Sequence, residues 1–166
     1  LGNRTTVTET IRQPGALAGV TAFLEENGQL VLEAESGTAN AGTTHAWNSQ
    51  TAQTDYAGSA YMRALPDIGQ QYDAIATADS PGLNFTVQID NPGSYTVWAR
   101  GMAPDAAGDS LHVGVNDGMP TTGANLTSFA PNAWTWSRLT MSSTNATVDL
   151  SSSGTYTLNV WMAEDG

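Results

Sequence analysis

Short runs of alternating apolar and polar residues recur along the chain, with turn-forming residues between them. The clearest, LNFTVQID at 83–90, puts its Leu, Phe, Val and Ile on one face of a strand. Similar runs are LVLEAE (30–35), SYTVWARG (94–101), SLHVGVN (110–116), WTWSRLTM (134–141), ATVDL (146–150) and TYTLNVWM (155–162). Because no useful stretch follows the helical period of 3.6 and no repeat is present, the pattern predicts an all-β sandwich of antiparallel sheets.

The pattern also predicts how the chain is organised. Residues 1–22 have the character of a linker or the end of a preceding unit, and the sandwich is expected to span residues 23–166. Within it, the segment 36–82 is less regular: GSAYMRAL (58–65) reads as one strand between long loops. Loops of that length are candidates for function.

Composition narrows the range of partners. The formal net charge is −11, lysine is absent and the basic residues are five arginines, so nucleic acid and anionic membranes are expected to be repelled. No run approaches the roughly 18 apolar residues that span a bilayer. The Thr-, Ser-, Asn- and Gly-rich, lysine-free profile favours a secreted, extracellular domain, and the start at Leu1 suggests a mature or excised fragment.

The chain lacks the residues and motifs that most kinds of enzyme catalysis require. The chain has no cysteine, no G-x-S-x-G elbow, no P-loop or dinucleotide fingerprint and no H-E-x-x-H motif, and its two histidines form no triad. Two neighbouring carboxylates on one strand point the same way rather than across a sugar, which disfavours a glycosidase. We therefore predict a domain that is not an enzyme.

Three segments in order carry a resemblance. LEAES (32–36), YAGSAYM (56–62) and FTVQIDNPGSYTVWARG (85–101) are similar to carbohydrate-binding modules of families 6 and 35, over roughly residues 28–166. The resemblance implies a secreted jelly roll found beside glycoside hydrolases and lyases. Such modules add one strand after the segment that GTYTLNVWMAEDG (154–166) resembles. Without that strand, an apolar groove and an unpaired edge would invite strand donation from a partner chain.

Glu33 and Glu35 are the candidate metal ligands. At positions i and i+2 of a predicted strand, the two carboxylates share a face and repel unless a cation lies between them. Calcium accepts such oxygen ligands, and the resemblance implies a structural calcium at this place. The alternative is a solvated strand face.

Tyr56 and Trp134 are the first candidates for sugar binding. Sugar rings present flat C–H faces that pack on aromatic rings, and the resemblance implies that a loop tyrosine and a loop tryptophan grip one sugar. Trp134 and Trp136 share a face if both lie in a strand; we interpret Trp134 as the stacking platform and Trp136 as core. The alternative is that both are buried.

Further candidates flank this pair. Trp47 with His45 suggests either a second wall of the sugar site or a plug over the end of the sandwich. The resemblance implies that Glu164 and Asp165 place a polar group against the sugar. Trp98 and Trp161 are expected to be structural, and His112 is expected on the surface.

The sequence supports two functional hypotheses. The first is a non-catalytic module that holds an attached enzyme or surface protein near a polysaccharide, raising its effective concentration there. The second is a structural or adhesive subunit of an extracellular assembly or filament, completed by strand donation.

Overall fold

The computed structural model describes residues 22–72, 79–118 and 125–166. The linker predicted for residues 1–22 therefore lies outside the described residues, except for its last position. The described strands are β1 (Phe23–Leu24), β2 (Thr38–Asn40), β3 (Ala46–Gln50), β4 (Tyr61–Leu65), β5 (Gly82–Ile89), β6 (Gly93–Thr96), β7 (Ala99–Gly101), β8 (Leu111–Val115), β9 (Asn125–Leu126), β10 (Thr135–Ser137), β11 (Thr147–Leu150) and β12 (Gly154–Met162). The helical structure in this part of the chain is one 3₁₀ turn, Ala34–Ser36, and none of its helices is long and apolar enough to cross a membrane.

The larger layer is a six-stranded sheet built around β5 and β12. Its strand order is β1-β5-β12-β8-β9, with β2 also paired to β5. The two central strands run antiparallel, and Phe85 lies opposite Leu158 in their register. Period-2 alternation sends Leu83, Phe85, Val87 and Ile89 to the same side, where they form a buried cluster. The alternating pattern of 83–90 therefore predicted both this strand and its inner face.

The second layer consists of three two-stranded antiparallel ribbons, β3–β4, β6–β11 and β7–β10. Trp47 of β3, Met62 of β4 and Leu150 of β11 pack against the cluster on β5. Val97 and Ala99 pack against a second cluster that includes Val113 of β8. Because apolar side chains of both layers meet between them, the molecule is a β-sandwich, as the sequence predicted.

The outer face of the six-stranded sheet is also covered, which corrects the interpretation of His112. His112 is buried, and its ring Nε2 donates a hydrogen bond to the Tyr72 carbonyl 2.9 Å away. Trp161 lies on the same outer face and is only 5% exposed. The prediction that Trp161 is structural is confirmed, whereas the surface position predicted for His112 is wrong, because the segment containing Tyr72 packs over this face.

The strand predicted for LVLEAE (30–35) does not form. Residues 30–33 lie outside strands, and the 3₁₀ turn follows directly. Leu30 and Leu32 still pack against the cluster on β5, so the alternation reported burial correctly. However, the edge of β5 away from β12 is occupied by β1 and β2. With that edge taken, 30–33 has no ladder partner there and remains irregular.

Candidate functional site

A cavity of about 660 Å³ opens between β4 and β7. Its floor is apolar and belongs to the sandwich core, with Phe85 of β5 and Val160 of β12 among its residues. Among the described residues, β4 pairs only with β3 and β7 only with β10. Residues from both faces of β4 and of β7 line the cavity, so the cavity runs along the edges of these two strands that pair with no other described strand. The second layer of the sandwich therefore has a gap between β4 and β7.

The end of the chain approaches this opening. The Gly166 N–H donates to the Ala64 carbonyl of β4 at 3.1 Å, and Gly166 also lines the cavity. This contact lies on β4 at the side that β3 leaves free. Apart from this contact, the cavity-facing edges of β4 and β7 pair with no strand in the part of the chain that the structure describes.

Three aromatic rings lie together beside the cavity. The rings of Tyr56 and Tyr61 are 5.6 Å apart between centroids, and those of Tyr61 and Trp134 are 5.5 Å apart. All three side chains are half-buried and line the cavity. We call Tyr56, Tyr61 and Trp134 the aromatic cluster. It joins two of the predicted residues, Tyr56 and Trp134, through a third ring that the sequence analysis did not single out.

The loop carrying Tyr56 is fixed to the aromatic cluster by polar contacts. The indole N–H of Trp134 donates to the Thr54 carbonyl at 2.8 Å, and an Arg100 guanidinium N–H donates to the Asp55 carbonyl at 2.8 Å. The same guanidinium lies 5.3 Å from the centroid of the Trp134 ring. These contacts fix the loop of Tyr56 against the Trp134 ring.

Trp136 is not core, contrary to the prediction. Its side chain is 63% exposed, whereas the next residue, Ser137, is buried. Ser137 donates its hydroxyl hydrogen to the Thr127 carbonyl, and Thr135 accepts from the Ala130 N–H. The small polar residues of β10 thus occupy the inward positions, and the indole is left outside. Trp98, expected to be structural, is likewise 51% exposed.

Glu33 and Glu35 converge although they do not lie on a strand. One carboxylate oxygen of each lies within 3.1 Å of the position that a Gly58 Cβ would take. Glu35 Oε1 accepts hydrogen bonds from the Ser59 N–H at 2.7 Å and from its hydroxyl at 3.1 Å. Burial alone would raise the pKa of Glu35, but these bonds outweigh it and the pKa is lowered.

The donor set around Gly58 fits a divalent cation in its chemistry. The two carboxylates are neighbours, and neither has an arginine within salt-bridge distance among the described residues. No group of three or more acidic or histidine ligands occurs in that part of the chain, so backbone carbonyls would have to complete a calcium shell.

His45 and Asp165 lie inside the molecule rather than at a ligand surface. Their residues are 1% and 3% exposed, and the His45 Nε2 is 3.1 Å from Asp165 Oδ2. The same carboxylate accepts from the backbone N–H groups of Ile68 at 2.8 Å and Gly69 at 3.1 Å. Burial by itself raises the pKa of Asp165, but the hydrogen bonds from Ile68, its neighbouring backbone and His45 prevail and lower it.

Trp47 and Glu164 both line the cavity, and each side chain already makes one hydrogen bond within the protein. Trp47 belongs to β3 rather than to a loop, and its indole N–H donates to the Pro81 carbonyl at 3.0 Å. Glu164 accepts from the Asp109 N–H at 3.0 Å. The structure therefore brings Tyr56, Trp134, Trp47 and Glu164 to one cavity, while His45 and Asp165 stay beneath the surface.

Sequence reasoning missed Tyr61 and Arg100 at this site. Both lie on strands, where an exposed aromatic or basic residue is unremarkable. The available signal was positional: Tyr61 opens the strand after the loop of Tyr56, and Arg100 follows Trp98 by two residues on one strand face.

The class of this all-β sandwich follows from its family: it is a β-domain associated with carbohydrate-active enzymes. Residues 22–166 match the model of the glycosyl hydrolase family 115 C-terminal domain, and the chain belongs to this family. The match is to a C-terminal domain and not to a catalytic one. The finer resemblance to family 6 and 35 modules remains a prediction.

A curated relative is uncharacterized protein P23 of Formosa agariphila, which is 27% identical over 77 residues. The aligned part covers 41% of this chain and 19% of P23, so the chain spans about a fifth of that relative.

Proposed function

We propose that this domain is a non-catalytic carbohydrate-binding module, which acts outside the cell and holds an attached enzyme or surface protein near a polysaccharide. The observation that carries the proposal is the aromatic cluster at the cavity. Its three rings offer apolar faces and edges, and Glu164 with the backbone of the 54–60 loop provides hydrogen-bonding groups nearby. Membership of a family of glycosyl hydrolase C-terminal domains supports the same class of ligand.

The aromatic cluster is testable through Tyr56. We expect Tyr56→Ala to weaken binding to a recognised polysaccharide about tenfold, because one ring stack contributes on the order of 1–1.5 kcal/mol. Tyr56→Phe is the matched variant, since it keeps the ring and should keep most of the affinity. Affinity electrophoresis against a panel of soluble polysaccharides, followed by calorimetry on the best binder, measures both.

Two results would contradict this proposal. Equal affinity of Tyr56→Ala and the parent chain would remove the aromatic cluster from the site, and circular dichroism controls for folding. Absence of affinity for every polysaccharide, together with concentration-dependent assembly in sedimentation velocity, would favour the alternative function. That alternative is a structural or adhesive subunit whose cavity takes a β-strand, supported by the apolar floor and the free edges of β4 and β7.

We also propose a structural calcium held by Glu33 and Glu35. Calcium bound only to the folded state stabilises it by mass action, so excess calcium is expected to raise the melting temperature and a chelator to lower it. Glu33→Gln should abolish this response, because one of two converging carboxylates is lost. Differential scanning calorimetry measures the shift, with magnesium as the comparison ion; a melting temperature that is indifferent to calcium would contradict the site.

A further inference from the structure

The outer face of the β7–β10 ribbon carries alternating indoles and guanidinium groups. Trp136 lies directly opposite Arg100 in the antiparallel register, and extending that register puts Arg138 opposite Trp98. The Arg138 Cζ is 4.7 Å from the centroid of the Trp98 ring, in agreement with this pairing. We call Trp98, Arg100, Trp136 and Arg138 the Trp–Arg ribbon. Residues opposite one another across two strands share a face, so the four side chains form one surface.

The Trp–Arg ribbon exposes more apolar surface than solubility favours. Trp136 is 63% exposed and Trp98 is 51% exposed, although the domain has room for buried indoles such as Trp161. Neighbouring exposed aromatic rings are typical of binding surfaces rather than of ordinary solvent-facing strands. Trp136 has one arginine two positions further along the chain and another directly across from it, so a ring stacked on its indole would have guanidinium groups at its edge.

Charge indicates what such a ring would carry. The chain has sixteen acidic residues and five arginines. Of the arginines that the structure describes, Arg63 pairs with Asp67 at 2.8 Å, whereas neither Arg100 nor Arg138 has a carboxylate within salt-bridge distance in the described residues. Two arginines on one face, neither paired with a carboxylate of the described residues although Arg100 gives one N–H to the Asp55 carbonyl, favour an anionic ligand.

We propose that the Trp–Arg ribbon binds an acidic polysaccharide, with a sugar ring on Trp136 and its carboxylate or sulfate group held by Arg138 and Arg100. The proposal rests on the proposed function and names its ligand class, since Trp98, Arg100 and Trp136 border the same cavity as the aromatic cluster. The overall negative charge does not prevent this binding, because salt screens exposed charges beyond about 8 Å at physiological ionic strength.

The experiment compares each acidic polymer with its own neutral form. One pair is a carboxylated polysaccharide and the same polymer with its carboxyl groups reduced to alcohols; the other is a sulfated polysaccharide and its desulfated form. We expect the parent chain to bind at least one acidic form about fivefold more tightly than its neutral counterpart, as a solvent-exposed, charge-assisted contact would give. The pair that shows the difference identifies the anionic group.

Variants locate the effect. Arg138→Gln should remove most of the preference for the acidic polymer, and Trp136→Ala should weaken binding of both forms. Gln29→Glu is the matched control, since it lowers the net charge by the same amount at an exposed residue that does not line the cavity. A preference that survives Arg138→Gln, or equal binding within both polymer pairs, would overturn the proposal. If binding then still depends on Tyr56, the proposed function stands without it; if no polymer binds, both fail.

Discussion

Trp161→Ala is expected to lower the free energy of unfolding by about 3–5 kcal/mol, as for other buried tryptophans. The indole lies on the outer face of the six-stranded sheet, across the glycines of both neighbouring strands. A Cβ on Gly82 of β5 would be 3.3 Å from the ring, and one on Gly114 of β8 would be 2.8 Å from it. The two glycines form the seat for this ring, so removing it leaves a cavity that their neighbours cannot fill.

Urea unfolding followed by far-UV circular dichroism measures this loss without relying on tryptophan fluorescence. Trp136→Ala is the matched control, because the same truncation at a side chain that is 63% exposed should change the free energy of unfolding by about 0.5 kcal/mol or less. Similar losses for the two variants would mean that Trp161 is not the structural ring its burial indicates.

Alternation of apolar and polar residues predicted the two central strands correctly, because one face of each strand packs on the core. In β5 and β12 every second residue faces the core, and 83–90 and 155–162 show this directly. The same rule misplaced 30–35, because alternation reports which side chains are buried but not whether a neighbouring strand is free to pair. Alternation also failed to show where one strand ends and the next begins. The predicted single strand SYTVWARG is two strands, β6 and β7, and between them the Val97 N–H donates to the Ala146 carbonyl.

The site was harder to predict than the fold, for reasons that individual residues show. Tyr56 and Trp134 were recognisable as loop aromatics, and both line the cavity. His45 was a candidate as the neighbour of Trp47, and Asp165 because the resemblance implied it, yet the two side chains are hydrogen-bonded to each other across 120 positions of sequence. Such a distant pairing leaves no local pattern.

The prediction that Trp136 belongs to the core was wrong for a different reason. The hydrophobicity of tryptophan favours a buried position. The segment WTWSRLTM gives no sign that Ser137 instead faces inward, where it donates a hydrogen bond to the Thr127 carbonyl. The two exposed indoles that reverse the usual order, Trp98 and Trp136, both belong to the Trp–Arg ribbon. This departure from the burial rule is the observation on which the proposal for the Trp–Arg ribbon rests.

Asp165→Asn is expected to lower the free energy of unfolding at pH 7 by about 3 kcal/mol, the cost of breaking a buried polar pair. The amide would turn its N–H₂ group either toward the Ile68 N–H and the His45 ring, which share one carboxylate oxygen, or toward the Gly69 N–H at the other, and so place donor against donor. The contacts of Asp165 hold the segment 163–166 against the 68–70 loop, so the loss is expected to extend to the wall of the cavity. Asp67→Asn is the control; its exposed pair with Arg63 should contribute less than about 1 kcal/mol.

The pH dependence gives this prediction a second readout. The pKa of Asp165 is lowered in the folded state from its ordinary value of 3.8, so the folded protein holds fewer protons there than the unfolded chain near that pH. The stabilisation by this carboxylate is therefore fully present above pH 3.8 and is lost as the pH falls through the lowered folded pKa. The difference in unfolding free energy between the parent chain and Asp165→Asn should shrink on acidification below that point. A difference that stays constant from pH 7 to strongly acid solution would show that the variant acts through packing and not through the carboxylate charge.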